Sequence, residues 1–586
     1  MNHFPEIKYE INHSAAHVLA QALLQLYPNA KLAIGPAIAE GFYYDVDFGN
    51  EVVSSKDFKK IKKVMQQIIN QKLPFSEQLK SKKELLTFYQ NNPYKTEIIN
   101  SLDQEDLQVV YTGSNFFDLC KGGHIKNTAE IKAFELLKIS AAYWRNDSNQ
   151  ASLTRIYGVA FDHPDDLVNH LQILEDLKMY DHRKLGSDLN LFSFDPIIGA
   201  GLPMWLEDGN ITRNLIKQFV NEIQMAHQVD LVTTPILGSQ ELYQTSGHWD
   251  HYQENIFPPI VLENKAYILR PMTCPHHIVL FQKNLWSYKM LPKIYGENAV
   301  LHRYEHSGGL TGLERVRCME IIDNHAFIAK NQINDLINTA YSMIKTAASG
   351  FKISFDQIDL ALHDPNDKIK FIDDPIMWQQ SESQLKQALE RLGINYHPVV
   401  GEAAFYGPKI DFQMRTISKK LITIATIQLD FLLPKKFNLT YIDENGDAKT
   451  PILIHIGIIG TLERFFALLL EQYKGVLPFW LAPKQVIILP VNHQKHLTAA
   501  LELKAQLQQK QIRAVIDDTN ERLSKKIRSA QLQKIPYQIV IGDQEANYLS
   551  QINFRQYGNE KTVKISLDDF IVKLTSLNQK PKTKIE

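Results

Sequence analysis

From His302 to Arg317 the chain reads His-Arg-Tyr-Glu-His-Ser-Gly-Gly-Leu-Thr-Gly-Leu-Glu-Arg-Val-Arg, and Cys318-Met-Glu-Ile-Ile-Asp-Asn-His325 follows. Three glycines inside so polar a run predict a strand, a turn and a returning strand. Alternate residues of a strand share a face, so Arg303 and Glu305 point together, as do Ile321, Asp323 and His325. A face presenting guanidinium, carboxylate and imidazole is costly to bury empty, which predicts a polar ligand site. A solvated hairpin is the alternative.

A second constraint lies further along. An apolar strand pattern from Pro451 to Ile459 leads into Gly460-Thr-Leu-Glu-Arg-Phe-Phe-Ala-Leu-Leu-Leu470, a helix start in almost wholly apolar surroundings. Arg464 there needs an anionic partner. Upstream, Ile211, Leu215, Phe219 and Ile223 recur every four residues as the stripe of an amphipathic helix, and a strand-like run from Val229 to Pro235 follows. Strand–loop–strand patterns around 298–328 and 403–433 complete the expectation of an antiparallel sheet with flanking helices.

The flanking regions differ in texture. Residues up to about 165 mix helix, Ser14 to Leu26 and Asp57 to Lys72, with strand, Gly41 to Phe48. A helical stretch from Pro164 to about Lys184 links this region to the next. After 482 the chain alternates: strands from Val486 to Pro490, Ile512 to Ile516 and Tyr537 to Ile541 are separated by helical stretches 493–510 and 521–533, a βαβαβ pattern. The expected divisions are 1–163, 164–189, 190–481 and 482–586.

At about 100–200 residues per domain, 586 residues exclude a single binding module. A hydrophobic content of 44% excludes disorder over most of the length. Three cysteines, Cys120, Cys274 and Cys318, make no disulfide framework and suit a reducing compartment. The start resembles no secretory signal and no apolar run is long enough to span a membrane, so a cytoplasmic protein is expected. Net charge is −1, but residues 484–586 hold 13 Lys and 4 Arg against 10 Asp and Glu, a net +7 that permits polyanion binding. A Lys-rich solvated surface is the alternative.

The helix and strand ending at Pro235 resemble motif 1 of the class II aminoacyl-tRNA synthetases. The hairpin with Arg303 resembles motif 2, and the turn from Gly460 to Arg464 resembles motif 3. Thr245-Ser-Gly-His-Trp-Asp250, Arg270-Pro-Met-Thr-Cys-Pro275, Ala403-Ala-Phe-Tyr-Gly-Pro-Lys409 and Gln428-Leu-Asp-Phe431 are similar to the threonyl-tRNA synthetases, in that family's order. The resemblance covers essentially the whole chain. It implies an α+β multidomain protein: a class II antiparallel-sheet catalytic core, an N-terminal α/β editing domain and a C-terminal α/β anticodon-binding domain. The implied activity is ATP-dependent ligation of L-threonine to tRNA(Thr) by a homodimer, with Mg²⁺ accompanying ATP. A synthetase-like tRNA-binding or regulatory protein that no longer activates threonine is the alternative.

The resemblance also implies roles. Arg303 would hold the α-phosphate and carboxylate, Arg464 the γ-phosphate and one adenine face, and Arg315 a further phosphate. Met272, Glu305, Met319, Tyr406, Lys409 and Gln428 would line the ATP and substrate pocket. Cys274, His325 and His455 match the family's zinc ligands, one Zn²⁺ per subunit, with Asp323 helping to hold the substrate amine. Threonine's hydroxyl would distinguish it from valine, whereas serine differs only by a methyl worth about 1–3 kcal/mol, so an editing step is expected. His13, His17, Cys120 and His124, with Lys95 and Asp118, match the editing site. His-x₃-His with Cys-x₃-His would ordinarily read as zinc; the resemblance implies hydrolysis of seryl-tRNA without metal. Glu545 and Arg555 fall where the family reads anticodon bases, with ordinary surface charges as the alternative.

Several positions depart from the family. The resemblance begins directly at the editing region, so the small ubiquitin-like N-terminal domain common in the family is expected to be missing. Met319 stands at the adenine-stacking position, often Phe; Ile321 stands where bacterial members often have Gln; Ile456 replaces Arg; and His276 replaces Gly, an extra imidazole expected near the metal.

Overall fold

The structure, a computed structural model, describes residues 5–147, 150–418 and 420–584. It divides into two compact units, Met1–Glu175 and Asp176–Glu586, with the division inside helix Pro164–Tyr180 and within the link expected at 164–189.

In the first unit, helix Tyr9–Leu26 lies against an antiparallel sheet built on Gly41–Asp47, Ser152–Phe161 and Ala133–Tyr143. The helix begins five residues before the expected Ser14, with Glu10 in its first turn, where a carboxylate is favoured by the helix dipole. Ala15, Ala16, Val18, Leu19 and Leu23 pack with Phe42, Tyr44 and Ile156. The expected exposed helix, Phe58–Asn70, buries Ile61, Met65, Ile68 and Ile69 and exposes its lysines. A second sheet joins Phe75–Ser81, Asp106–Thr112 and Phe116–Leu119.

The second unit is organised by an eight-stranded sheet in the order Asp230–Leu231, Lys293–His302, Cys318–Ile328, Ile452–Thr461, Leu421–Asp430, Lys409–Arg415, Gln357–Leu362 and His397–Val400. It is antiparallel except at its two edges. Alternation divides its faces. Ile322, Ala326, Ile454, Ile456, Ile427 and Leu429 join the core formed with helices Glu207–Ala226, Ile333–Gly350 and Leu462–Gln472. The opposite face carries Asp323, His325 and His455 and is met by helix Cys274–Gln282.

Two expectations shift. The buried stripe of helix Glu207–Ala226 is Thr212, Ile216, Phe219, Val220 and Ile223, so Ile211 and Leu215 sit at its margin. The strand expected from Val229 to Pro235 is only Asp230–Leu231, because it pairs on one side alone and Pro235 has no N–H to donate.

The C-terminal part has the three predicted strands, parallel in the order Ala514–Ile516, Val486–Pro490, Tyr537–Ile541. Two antiparallel strands, Gln551–Gln556 and Val563–Ser566, extend that sheet beyond the βαβαβ pattern.

Candidate functional site

Sheet register builds the first centre. His325 pairs with His455, and His455 with Gln428, across three adjacent strands; Tyr295 and Lys409 continue the row on either side. Directly opposed residues point to one face, so the row forms one wall. Cys274 closes it from the first turn of its helix, and the ligating atoms of Cys274, His325 and His455 lie within 4.8 Å of one another.

Hydrogen bonding fixes how the imidazoles face this cage. His455 Nε2 meets Asp430 Oδ2 at 3.0 Å, and His277 Nε2 meets Glu297 Oε2 at 3.1 Å. Each carboxylate accepts an N–H, so His277 Nδ1 accepts from His325 Nδ1 at 2.9 Å. His455 Nδ1 and His325 Nε2 are then left as lone pairs facing each other at 3.0 Å. Two such lone pairs repel unless a cation lies between them, and a thiol completes a donor set suited to Zn²⁺. Glu297 is held down at about 2: burial pushes it up, but hydrogen bonds from His277 and Thr234 and the charge of Arg270 outweigh that. Burial, with His455 next, keeps His325 far below the ordinary imidazole range, so it stays neutral as a ligand must.

Around the cage, Thr273 Oγ1 donates to Asp323, Tyr406 stacks on His455 with ring centres 4.8 Å apart, and the Tyr406 hydroxyl donates to Gln428 Oε1 at 2.6 Å. Lys409 pairs with Asp411 on the same strand. Met272 packs half-buried beside the cage helix.

The second feature is a cluster of guanidinium groups. Arg303 Nε donates to Pro271 O, and its charge is felt by both Cys274 and Arg464. Arg464 Nε donates to Glu314 O at 3.1 Å. Burial, then the neighbouring Arg303 and Arg315, pulls the Arg464 pKa down. Arg315 pairs loosely with Glu305, 3.5 Å apart. Like charges gathered this way call for a polyanion. Beside them Met319 is buried with Ala299, Leu301 and Val316, and Ile321 packs on that patch.

In the first unit, His13, His17, Cys120 and His124 also bring their ligating atoms within 4.8 Å. Cys120 Sγ is 3.4 Å from His13 Nε2 and 3.2 Å from His124 Nε2. Burial pushes the thiol up to about 11 and His124 down to about 2. Asp118 is buried with Lys95, 2.5 Å away, and accepts from the hydroxyls of Tyr44 and Tyr89. In the C-terminal part, Glu545 is buried and accepts from Gly542 N at 3.0 Å and Asn553 Nδ2 at 2.6 Å, so it is no ordinary surface charge. Arg555 Nε donates to Thr562 Oγ1.

Three regions match known families: residues 260–473 the tRNA synthetase class II core domain (G, H, P, S and T), 485–577 an anticodon binding domain, and 107–157 the threonyl and alanyl tRNA synthetase second additional domain. A threonine–tRNA ligase of Ureaplasma parvum is 51% identical over 96% of this chain and 97% of its own length. The chain belongs to the threonine–tRNA ligase family. The enzyme of that name from Staphylococcus aureus is 44% identical over 96% of this chain and 87% of its own. The Cryptosporidium parvum threonyl-tRNA synthetase RNA binding domain superposes with a TM-score of 0.64 at 34% identity, covering 69% of this chain and 99% of that one.

Within this ligase, two departures from the family acquire a physical reason. Ile456 is fully buried in the helix-side core, facing away from the cage. His276 also turns away, with Nε2 3.0 Å from the Tyr243 hydroxyl, so it adds no donor to the cage. Sequence reasoning missed His277, Glu297, Asp430 and His248, the last 3.8 Å from Cys274 Sγ. Signals existed: His277 lies three residues after Cys274 on one helix face, and His248 and Asp430 fall inside motif blocks already noted.

Proposed function

We propose that this threonine–tRNA ligase selects and activates its amino acid between the cage and the guanidinium cluster. The position of Arg303 carries the reading: one cation lies within electrostatic reach of both Cys274 and Arg464. The enzyme activates threonine with ATP to threonyl-adenylate and transfers it to tRNA(Thr). In the first step the threonine carboxylate attacks the α-phosphate and pyrophosphate leaves. Such displacement is catalysed chiefly by positioning and charge stabilisation. Arg303 balances the carboxylate and α-phosphate, while Arg464 and Arg315 hold the outer phosphates with Mg²⁺. Met319 and Ile321 form an apolar surface for adenine. Asp323, fixed by Thr273, takes the substrate amine, and Gln428 and Tyr406 wall the side-chain pocket.

Cys274, His325 and His455 would hold zinc. When bound, it supplies a Lewis-acidic point for the amine and hydroxyl of threonine, a feature valine cannot match. Hydrolytic editing answers serine. For that step His13 and His17, whose buried Nδ1 atoms have no protein partner, would orient the attacking water, and Lys95–Asp118 would shape the pocket, without metal. Glu545 and Arg555 would face anticodon bases.

A homodimer fits the exposed apolar side chains on the motif 1 side: Leu231, Ile236 and Leu237 with Val261 and Leu262. Among the described residues no helix is long and apolar enough to cross a membrane.

The test is pyrophosphate–ATP exchange with threonine, serine and valine, with zinc measured on the same sample. Threonine-dependent exchange with one zinc per chain is expected. Exchange without zinc overturns the cage, and two zinc per chain overturns metal-free editing.

A further inference from the structure

Apart from the two centres above, the described residues bring together one more set of metal-ligating side chains. His182, Glu314 and Glu471 place their ligating atoms within 4.8 Å of one another beside a cavity of about 580 Å³. It does not read as a metal cage, because both nitrogens of the buried His182 are committed. Nδ1 meets Glu471 Oε1 at 2.8 Å, and Nε2 accepts the backbone N–H of Leu313 at 3.1 Å.

These bonds close a circuit. Glu471 and Arg464 lie on one helix, Leu462–Gln472. Leu313 and Glu314 are neighbours in the motif 2 turn, and Glu314 O accepts from Arg464 Nε. The path from helix to His182, to the turn and back to the helix is therefore continuous. Glu471 sits in the last turn, where the helix dipole opposes a carboxylate, and is only 6% exposed. His182 donates to it through both Nδ1 and its backbone N–H, and Ile417 N donates as well. The turn also presses on the ring. Gly312 has φ +46°, and a Cβ built on it would lie 2.2 Å from His182 Nε2.

We propose that His182 is a positioning residue for ATP, locking the motif 2 turn to the motif 3 helix so that Arg315 and Arg464 converge on the phosphates. It touches no substrate and acts only through that turn. The proposal rests on the assignment of those arginines to the nucleotide.

The experiment is pyrophosphate–ATP exchange on the full-length, zinc-loaded enzyme, with KM measured separately for ATP and threonine. His182→Ala should raise the ATP KM roughly 10- to 100-fold, the scale of a 1 Å misplacement, and leave the threonine KM unchanged. His182→Gln, which can still accept from Leu313 N, should recover most of the loss. Glu471→Ala should give the same ATP defect, non-additive with His182→Ala. An unchanged ATP KM in His182→Ala overturns the lock. So does an equal rise in both KM values, or a loss that tracks the melting temperature and is not recovered by Gln. Arg464→Ala separates the two readings: if its ATP KM is normal, the nucleotide assignment fails with the lock, whereas a raised value beside a normal His182→Ala overturns the lock alone.

Discussion

His325 and His455 face each other across two adjacent strands of the eight-stranded sheet, and each has its second nitrogen tied into a chain that ends on a carboxylate. The pair is thus held in the tautomers that a metal needs. Cys274→Ala should lose zinc and abolish threonine-dependent exchange. His277→Ala leaves all three ligands in place and should weaken zinc binding about 10- to 100-fold, read by chelator competition. Unchanged competition would remove His277 from the cage's support.

Editing should be separable from activation, because the second additional domain and the class II core are different regions of the chain. His13→Ala with His17→Ala should let seryl-tRNA persist while threonine activation stays normal. A double variant that clears seryl-tRNA at the parent rate would reject the assignment of that pocket.

Lys95 and Asp118 form a buried ion pair, their side chains 3% and 4% exposed. Lys95→Ala leaves a carboxylate buried without its cation, a loss of about 3–5 kcal/mol. Calorimetry should show the transition of the first unit lowered, with Asp118→Asn in the Lys95→Ala background restoring part of it. No shift in either would show the pair to be inert.

Burial first, then neighbouring His17 and His13, pushes His124 down to about 2. Unfolded, the same imidazole takes its proton near roughly 6.5. Between those values the folded state binds fewer protons, so this contribution to stability is complete above the unfolded pKa and is lost as pH falls. The thermal unfolding temperature should therefore fall as pH is lowered from about 7 to 5, and His124→Gln should flatten that slope. An identical slope in the variant would remove His124 as the cause.

The motif 1 side exposes Leu231 and Val261, at 42% and 66%. Light scattering should give a dimer, and Leu231→Glu with Val261→Glu should shift it toward monomer. A monomeric parent at working concentration would refute the interface.

The fold was legible where one period ruled. Alternation in Cys318–Ile328 placed Asp323 and His325 on one face, and the apolar run from Pro451 marked the central strand. It was less exact where one residue of phase decides: Phe219 and Ile223 are buried as expected, but Thr212 and Ile216 share their face while Ile211 and Leu215 are half-buried at its edge. The cage was not legible from spacing, since Cys274, His325 and His455 lie 51 and 130 residues apart; strand pairing joins the two histidines, and the helix that Cys274 begins closes over them. Family resemblance supplied the candidate ligands but not His277 or Asp430, whose contacts with them appear only once the ring nitrogens are assigned partners.

The row Lys409, Gln428, His455, His325 and Tyr295 runs straight across five strands, so the pocket wall doubles as a gauge of correct pairing. A slip of one residue in Ile452–Thr461 would present Ile454 or Ile456 in place of the imidazole and turn His455 into the apolar core. Since only the correctly paired chain could then grip an ion, zinc bound there would favour that pairing by mass action and discriminate among folded forms before any amino acid arrives.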